Sequence, residues 1–392
     1  MQETQETEID MNTWADEDRY QLKTYAKWPI SLERGEGCYV FASDGKRYLD
    51  LYGGHAVVVT GHCHPKIVRA IQEQAAQLIF YSNVVYSSVR SRAVRKLVEA
   101  AGAPYHQAFL ANSGSEANEN AIKLARALTG RTEVISLEGS FHGRTYGSLS
   151  ATGIAKYSAY LNTPVPGHRI VSAKDAGQAV SDKTAALLVE PIQSLGGINV
   201  IPGELLVEMS QACRSHQALL IFDEVQVGIG RTGRFLYSGI NQVYPDMVTL
   251  AKGIGSGFPA SALLLTEAMA REVRSGDLGT TFGGGPLACA CIEATLDLIR
   301  EEDVLANVRR VSKSIQERLS RLPIVEEVRG AGLLLGVRFS GRWASAKSVQ
   351  RELQARGILT GTSDDPSILR LMPPLIITEA EIDSFITTLA SL

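Results

Sequence analysis

The sequence predicts an α/β fold with a large domain on a mostly parallel central sheet and a smaller α+β domain. Through the middle of the chain, short apolar runs of strand length alternate with helical patterns, as parallel strands joined by right-handed crossovers require. Two of these runs, at residues 219–222 and 247–251, lead into charged residues, Asp223 and Lys252. With 392 residues, the chain is long enough for two domains of unequal size.

The composition is ordinary for a globular protein, at 45% hydrophobic and 21% charged residues. The formal net charge of -3 gives no electrostatic reason to expect nucleic acid or a membrane surface as a partner. No apolar run approaches the roughly 18 residues that span a bilayer. The first residues, MQETQETEIDMNTW, lack the basic start and apolar centre of a secretory signal, so we expect a cytoplasmic protein.

The five cysteines, at positions 38, 63, 213, 289 and 291, are odd in number and include no C-x-x-C, so no disulfide framework is indicated. His62, Cys63 and His64 stand together and could suggest a metal cluster. Because no further ligand pattern such as H-E-x-x-H appears, we expect no metal.

The first part of the chain predicts a loose segment, a hairpin and two helices. Residues 1–20 are polar and acid-rich, with a short helix expected near 14–20. Apolar and polar residues alternate on both sides of Asp44-Gly45, which is typical of a hairpin. Apolar residues at helical spacing after Pro65 and across 89–100 predict the two helices.

Residues 112–129, NSGSEANENAIKLARALT, predict a helix with an apolar face and a capping box formed by Ser113 and Glu116. Free backbone amides and the positive end of the helix dipole at a Ser-Gly-Ser turn suit a phosphate group. An ordinary capped helix is the alternative interpretation.

The rest of the large domain alternates strands with a helix at 203–216, and the expected strands are 134–137, 185–190, 219–222, 247–251 and 260–265. Three glycines at 283–285 then precede a helical stretch to about residue 322, which we interpret as the domain hinge. Beyond it, strands near 325–338 and 369–372 and helices near 344–356 and 379–389 predict the smaller domain. The expected division is 1–55 and 286–392 for the small domain, with 56–285 between them.

Asp223 and Lys252 would face one crevice, because ligands bind at the carboxyl ends of parallel strands. A carboxylate and an amine in one crevice suit a pyridoxal phosphate enzyme, in which the lysine forms a Schiff base with the cofactor and the carboxylate keeps the ring nitrogen protonated. Three alternatives are a nucleotide hydrolase, a dinucleotide site at Gly228, Gly230 and Gly233, and a solvated lysine. The chain lacks G-x-x-x-x-G-K-[ST], no amphipathic helix opens after Gly233, and glycines crowd around Lys252.

The motifs NSGSEANE, FHGRT, EPIQ, DEVQ-x-G-x-GRTG and AKGI, in that order, resemble those of the class III aminotransferases. These are pyridoxal phosphate-dependent transferases of fold type I that include acetylornithine and ornithine aminotransferases. The resemblance runs from near Arg34 to near Arg370. It implies transfer of an amino group between an amino acid or ω-amine and 2-oxoglutarate by a ping-pong mechanism.

The resemblance also implies a role for each cofactor residue. Lys252 resembles the Schiff-base lysine, which afterwards moves a proton on the substrate, and Asp223 resembles the partner of the ring nitrogen. The residue matching Thr281 reaches the phosphate of the neighbouring subunit, which implies a homodimer with active sites at the interface. The other expected cofactor contacts are Ser113, Gly114, Ser115, Phe141, Glu190 and Gln226.

Two arginines resemble the family's carboxylate clamps, with Arg370 for the α-carboxylate and Arg144 for the distal one. A structural salt bridge is the alternative for either. Two arginines in these positions favour glutamate as the donor or 2-oxoglutarate as the acceptor.

The substrate side departs from the family pattern. Leu195 replaces a glutamate that pairs with the clamp arginine, which should leave Arg370 available for carboxylates. His55 replaces a tyrosine, and a partly charged histidine would make acid recognition depend on pH. Tyr81 matches a pocket aromatic, and Gly285 replaces an asparagine. An aminomutase or decarboxylase of the same fold, an ω-transaminase that uses pyruvate, and a catalytically silent pyridoxal-binding protein are the rival hypotheses.

Overall fold

The computed structural model describes residues 13–159 and 161–392. Residues 13–20 are helical, as expected near 14–20. The first twelve residues of the predicted amino-terminal segment lie outside the described residues.

The central sheet has seven strands. Five neighbouring strands, from Met247–Leu250 at one end to His168–Val171 at the sheet edge, are parallel, whereas Ser261–Thr266 runs antiparallel to both of its neighbours. The predicted mostly parallel sheet is therefore confirmed. Across the sheet the order is Tyr105–Ala111, Ser261–Thr266, Met247–Leu250, Leu219–Asp223, Thr184–Val189, Glu133–Leu137 and His168–Val171.

The central strands were predictable because both of their faces are covered. Every residue of Thr184–Val189, Leu219–Asp223 and Met247–Leu250 is buried, which explains their continuous apolar sequences. The sequence patterns missed the two edge strands, Tyr105–Ala111 and His168–Val171. Both carry exposed residues that interrupt the apolar run, as edge positions permit.

The helix Gly114–Thr129 packs on this sheet and begins as predicted at Ser113, whose hydroxyl accepts a hydrogen bond from the Glu116 amide at 3.2 Å. The second half of the expected capping box differs, because the Glu116 carboxylate accepts from the Asn112 amide at 2.9 Å rather than from that of Ser113. The helix start is therefore tied to the residue that precedes its cap.

The predicted helical stretch to about residue 322 is confirmed up to Leu319, but it consists of two helices, Pro286–Glu301 and Val304–Leu319. Asp303 adopts a left-handed conformation (φ 46°) that breaks the helix between them. The first helix packs mainly on the two helices Pro65–Gln77 and Ser88–Ala101, and the second packs on Glu379–Ala390. We therefore propose that the large domain extends to residue 302 rather than to 285.

Two four-stranded sheets build the rest of the chain. In one, the predicted amino-terminal hairpin pairs through Arg47–Asp50 with Ile358–Leu359, which joins the two ends of the chain. This pairing supports our proposal that both ends belong to one small domain. The sheets consist of Leu32–Glu36, Tyr39–Ala42, Arg47–Asp50 and Ile358–Leu359, and of Val325–Ala331, Leu334–Phe339, Ile368–Leu371 and Gly361–Thr362.

Shorter elements connect these layers. They are the helices Gly53–Ala56, Tyr146–Ser150, Ala155–Ser158, Ala176–Ala179, Gly203–Ser215, Glu267–Glu272 and Ala346–Ala355, the 3₁₀ turns Ile240–Gln242, Lys252–Gly255 and Gly341–Trp343, and the strand pair Ile192–Gln193 with Asn199–Val200. Among the described residues, no helix combines the length and apolar character that a bilayer crossing needs.

Arg231 links the middle of the chain to its amino-terminal and carboxy-terminal segments. Its fully buried guanidinium donates to the carbonyl of Leu333 at 3.2 Å, to that of Ala56 at 3.5 Å, and to that of Pro373. These carbonyls belong to the amino-terminal and carboxy-terminal segments, so a charged side chain serves here as a structural cross-link.

Candidate active site

A cavity of about 380 Å³ opens at the carboxyl ends of the central strands, against the start of the Gly114–Thr129 helix. Six predicted cofactor residues line it: Ser113, Gly114, Ser115, Phe141, Asp223 and Lys252. The strand-end argument from the sequence therefore identified one common crevice.

Asp223 forms the floor of this cavity and is almost fully buried. Its Oδ2 accepts hydrogen bonds from Asn118 Nδ2 at 2.7 Å and from His142 Nδ1 at 2.8 Å, and its Oδ1 accepts from the Val225 amide at 3.0 Å. Three donors from three segments fix the orientation of the carboxylate, which meets a requirement for a preorganised electrostatic partner.

Asn118 and His142 are functional candidates that sequence reasoning missed. Thr249 Oγ1 donates to Asn118 Oδ1 at 2.7 Å, which turns the amide nitrogen toward Asp223. The His142 imidazole donates to Asp223 through Nδ1, which leaves Nε2 as the acceptor nitrogen of that tautomer. Nε2 is buried and has no hydrogen-bond partner in the described chain. A polar residue on the buried face of an alanine-rich helix was the available signal for Asn118.

Glu224, the other member of the acidic pair, faces away from the cavity because successive strand residues point to opposite sides. Its two carboxylate oxygens accept from the amides of Tyr237 and Ser238, each at 2.6 Å. Burial raises the pKa of this carboxyl to about 7. Glu224 therefore fastens a loop, and Asp223 alone serves the cavity.

Lys252 lies at the end of the neighbouring strand in a left-handed conformation, with φ 47°. Burial lowers the pKa of its amine, and attraction to Asp223 and Glu190 opposes that shift. The amine makes no hydrogen bond or ion pair with any residue that the structure describes. A buried amine with a lowered pKa is closer to the neutral, nucleophilic form that covalent chemistry needs.

The start of the Gly114–Thr129 helix lines the same cavity as Lys252. A side chain at Gly114 would place its Cβ 2.8 Å from Val225 Cγ1, so only glycine allows this close approach to the strand end. The Ser115 hydroxyl accepts from the Arg144 amide at 3.0 Å, which pins the following loop to the helix. Backbone amides at the start of a 16-residue helix favour a phosphate here.

Phe141 forms one wall of the cavity. Its ring meets Tyr157 edge-on with centroids 5.2 Å apart, and its amide donates to Glu190 Oε2 at 3.1 Å. Glu190 stands behind this wall rather than lining the cavity, and burial, followed by repulsion from Asp223, raises its pKa to about 7.

Arg370 is a buried cation without a counter-ion. Its side chain is 2% exposed, Nε donates to the Thr362 carbonyl at 2.7 Å, and Nη1 donates to Ser194 Oγ at 3.1 Å. No carboxylate in the described part of the chain pairs with it, and burial lowers its pKa. Leaving a buried charge unpaired is costly, so this arrangement favours a ligand carboxylate.

Arg144 is exposed, and its guanidinium carbon lies 4.3 Å from the centre of the Tyr157 ring and 5.6 Å from that of Phe141. It too forms no ion pair with a described carboxylate. Tyr157 was not singled out from the sequence. Its stacking on Arg144 adds it to the residues around the cavity.

Comparison with known proteins decides the family. The family model described as aminotransferase class-III matches residues 20–392. The chain belongs to the class-III aminotransferases. It is 43% identical to the acetylornithine aminotransferase of Methanopyrus kandleri over 95% of this chain and 96% of that protein.

Solved structures agree with this assignment. One is an ornithine aminotransferase from Toxoplasma gondii, described with partial occupancy of PLP at its active site. It has a TM-score of 0.91 and 30% sequence identity, and the match covers 97% of this chain and 93% of that protein's chain. An acetylornithine aminotransferase from Elizabethkingia anophelis has a TM-score of 0.86 at 30% identity, with coverages of 97% and 98%. The expected fold type I architecture is confirmed.

Class-III aminotransferases depend on pyridoxal phosphate, and the cavity of this aminotransferase fits that group. The amine of Lys252 is free for a covalent link, the anion seat at Gly114 lies on one side, and the carboxylate of Asp223 lies on the floor. These are the three anchors that the aldehyde, the phosphate and the ring nitrogen require.

His55 does not carry the partial charge that the sequence suggested. Burial, together with the positive charges of Arg370 and Lys252, lowers its pKa to about 4. The ring is therefore neutral near pH 7, and the Tyr52 hydroxyl lies 2.6 Å from its Nε2.

The His55 carbonyl accepts from Gln226 Nε2 at 3.0 Å, and Gln226 does not line the cavity.

Tyr81, Thr281 and Leu195 also lie outside the cavity lining. Tyr81 is 53% exposed, and Thr281 is exposed as well. Leu195 is half-buried, and its carbonyl accepts from the Asp364 amide at 2.7 Å. Tyr81 and Thr281 thus make no contribution to the cavity of their own chain.

The adjacent histidines do not converge on one point. His62 contacts Asp50 at 2.8 Å, whereas His64 contacts Glu302 at 3.4 Å. Within residues 13–159 and 161–392, no cluster of three or more His, Cys, Asp or Glu side chains could hold a metal ion.

Proposed function

We propose that this aminotransferase moves an amino group between an acetylornithine-like or ornithine-like substrate and 2-oxoglutarate in a two-stage, ping-pong cycle. The observation that carries the proposal is the buried guanidinium of Arg370, which has no carboxylate partner in the described chain. Similarity to proteins named acetylornithine aminotransferase supports the choice of donor.

Each residue has a defined task in this proposal. When bound, pyridoxal phosphate supplies an electron sink for the bonds at the substrate carbon. Lys252 holds the aldehyde and then carries the proton to and from that carbon, for which a lowered pKa suits it. Asp223 supplies a fixed negative charge at the ring nitrogen, and Phe141 covers the ring face. The proposed remaining contacts are Ser113, Gly114 and Ser115 at the phosphate, and Glu190 and Gln226 around the ring.

Substrate recognition follows from the two arginines. Arg370 receives the α-carboxylate, and Arg144, stacked on Tyr157, receives the distal one. Leu195 and the neutral His55 add no charge that would compete. A dicarboxylic acceptor matches this pair of cations.

We propose a homodimer with active sites at the interface. Tyr81 and Thr281 would then contact the cofactor or substrate of the partner subunit. A large group of exposed apolar side chains lies around them, which monomeric proteins rarely show. The group comprises Leu78, Ile79, Phe80, Tyr81, Val84, Val85, Tyr86 and Phe282.

A charge placed in that surface tests the dimer. Phe282 is 65% exposed, and its ring meets Phe80 with centroids 5.2 Å apart. Phe282→Asp should shift the protein to monomers in analytical ultracentrifugation, while Tyr20→Asp, an equally exposed aromatic elsewhere, should not. A wild-type monomer would remove this part of the proposal.

The free state of all five cysteines supports a reducing, cytoplasmic location.

A donor panel tests the reaction itself. Acetylornithine, ornithine and other amines are each incubated with 2-oxoglutarate or with pyruvate, and products are quantified. Glutamate formed in equal amount to the oxo product of the donor is the expected result. Release of CO₂, isomerisation of the amine without an acceptor, or use of pyruvate alone would replace the proposal with a rival activity.

A further inference from the structure

Within the described residues, the groups that accept hydrogen bonds from the Arg370 guanidinium are both neutral. Nε donates to the Thr362 carbonyl at 2.7 Å and Nη1 donates to the Ser194 hydroxyl at 3.1 Å. Nη2 makes no hydrogen bond with the residues that the structure describes. One N–H of Nη1 and both of Nη2 therefore stay available, and together they form the end of the guanidinium fork that matches a carboxylate.

Ser194 is itself held rigidly. Its amide donates to Glu190 Oε1 at 3.2 Å, its carbonyl accepts from the amides of Gly197 and Ile198, each at 3.2 Å, and the side chain is fully buried. The hydroxyl proton points toward Met372 Sδ at 3.9 Å, a weak acceptor. The oxygen lone pairs are thereby left to Arg370.

A hydroxyl and a carboxylate would affect this arginine differently. A carboxylate partner would neutralise the guanidinium and would have to be displaced by each incoming substrate carboxylate. A serine hydroxyl accepts a single hydrogen bond and leaves the positive charge intact. Leu195, the next residue, offers no charge either. The carboxyl of Glu190 attracts Arg370 without forming an ion pair with it, so the guanidinium keeps its hydrogen-bonding edge available.

We propose that Ser194 is a positioning residue that orients the Arg370 guanidinium for the carboxylate of glutamate or 2-oxoglutarate. The inference rests on the proposed function, in which Arg370 binds the α-carboxylate of glutamate or 2-oxoglutarate. It goes beyond that function by assigning the orientation of the guanidinium to one buried hydroxyl. The ligand class is any amino or oxo acid whose carboxylate lies next to the reacting carbon.

The test compares Ser194→Ala with Ser136→Ala in the cofactor-loaded enzyme. Ser136 is a matched control because it is also fully buried, and its hydroxyl has no partner in the described structure. Binding of glutarate, an unreactive dicarboxylate, is titrated through the absorbance of the bound cofactor. Ser194→Ala should weaken glutarate binding and raise KM for 2-oxoglutarate about tenfold, with kcat within about twofold of wild type.

Three results separate the possibilities. Ser136→Ala should match wild type, and Ser194→Thr, which keeps the hydroxyl, should recover most of the glutarate affinity. If Ser194→Ala binds glutarate normally while Arg370→Leu does not, the positioning role is refuted and the proposed function survives. If Arg370→Leu also binds glutarate normally, the carboxylate subsite is elsewhere and the proposed function fails with it.

Discussion

The floor of the cavity and the pair of arginines, Arg370 and Arg144, differ in how their charges are paired. On the floor, Asp223 meets donors from Asn118 and His142 at 2.7 and 2.8 Å, all within one chain. The two arginines Arg370 and Arg144, by contrast, have no carboxylate partner among the described residues. The floor is therefore preorganised before any ligand arrives, whereas we propose that the two arginines pair with the carboxylates of a substrate.

Removing the floor carboxylate should have the largest effect. In Asp223→Ala the donors of Asn118 and His142 lose their acceptor, which costs about 1–3 kcal/mol of stability for each unpaired group. Loss of the fixed charge should lower kcat/KM by roughly 10³-fold, equivalent to about 4 kcal/mol. Steady-state kinetics and thermal unfolding measure the two effects.

Asp223→Asn is the control, because it keeps one acceptor oxygen and the same size. It should recover part of the stability but little of the activity. A loss of activity below about tenfold in Asp223→Ala would mean that the floor is not the electrostatic partner of the ring.

Arg370→Leu should show the reverse pattern, with reduced activity and unchanged or increased stability. Losing a bidentate, charge-assisted contact worth about 2–4 kcal/mol should lower kcat/KM for 2-oxoglutarate by roughly 10²-fold. The folded protein loses an uncompensated buried charge, so its melting temperature should not fall.

Arg231→Leu provides the contrast for that measurement. Arg231 is equally buried, but its guanidinium donates hydrogen bonds to backbone carbonyls of distant segments. It therefore has a structural role and no proposed ligand. Its loss should destabilise the protein without changing the preference among substrates. If Arg370→Leu were the more destabilising of the two, Arg370 would be structural.

A new carboxylate beside the clamp should have a smaller effect. Leu195→Glu should weaken the glutamate half-reaction about fivefold relative to the half-reaction of an ω-amine, because a partly exposed ion pair contributes about 1 kcal/mol. Leu195→Gln has the same size without the charge and should leave the ratio unchanged. Equal effects of Leu195→Glu on both half-reactions would contradict the open-clamp account.

The smallest effect concerns pH. Because the pKa of His55 is about 4, its ring is neutral above pH 6 and should add no inflection to kcat/KM for 2-oxoglutarate between pH 6 and 8. The unfolded chain binds a proton near pH 6.5, so the native state loses stability as the pH falls from about 6.5 to 4.

His55→Asn tests both statements. The variant should lose less stability than wild type between pH 7 and pH 5, and its activity profile should keep the same shape. A His55-dependent inflection near pH 6.5 would show that the histidine titrates normally and recognises acids by charge.

The same contrast explains what the sequence could predict. Strands such as Leu219–Asp223 are buried on both faces, and their apolar runs therefore point directly to the residues at their ends. The crevice shared by Asp223 and Lys252 followed from this rule alone. The proposed phosphate contact at Gly114 followed from a turn that opens a helix, and Gly114 does line the cavity.

Pairings between distant segments were not predictable in this way. The contacts of Asn118 and His142 with Asp223 span 105 and 81 residues, and that of Ser194 with Arg370 spans 176. No local pattern encodes such contacts. The helix break at Asp303 was missed for a different reason, because its left-handed backbone carries no glycine as a signal.

The central claim is that Lys252 carries the cofactor. Borohydride reduction of the cofactor-loaded enzyme, followed by digestion and mass spectrometry, identifies the lysine to which pyridoxal phosphate is attached. We expect the modification on the peptide that contains Lys252, and we expect Lys252→Ala to be unlabelled and to lack the visible absorbance of the bound cofactor. Modification of a different lysine, or an unchanged absorbance band in Lys252→Ala, would contradict the account.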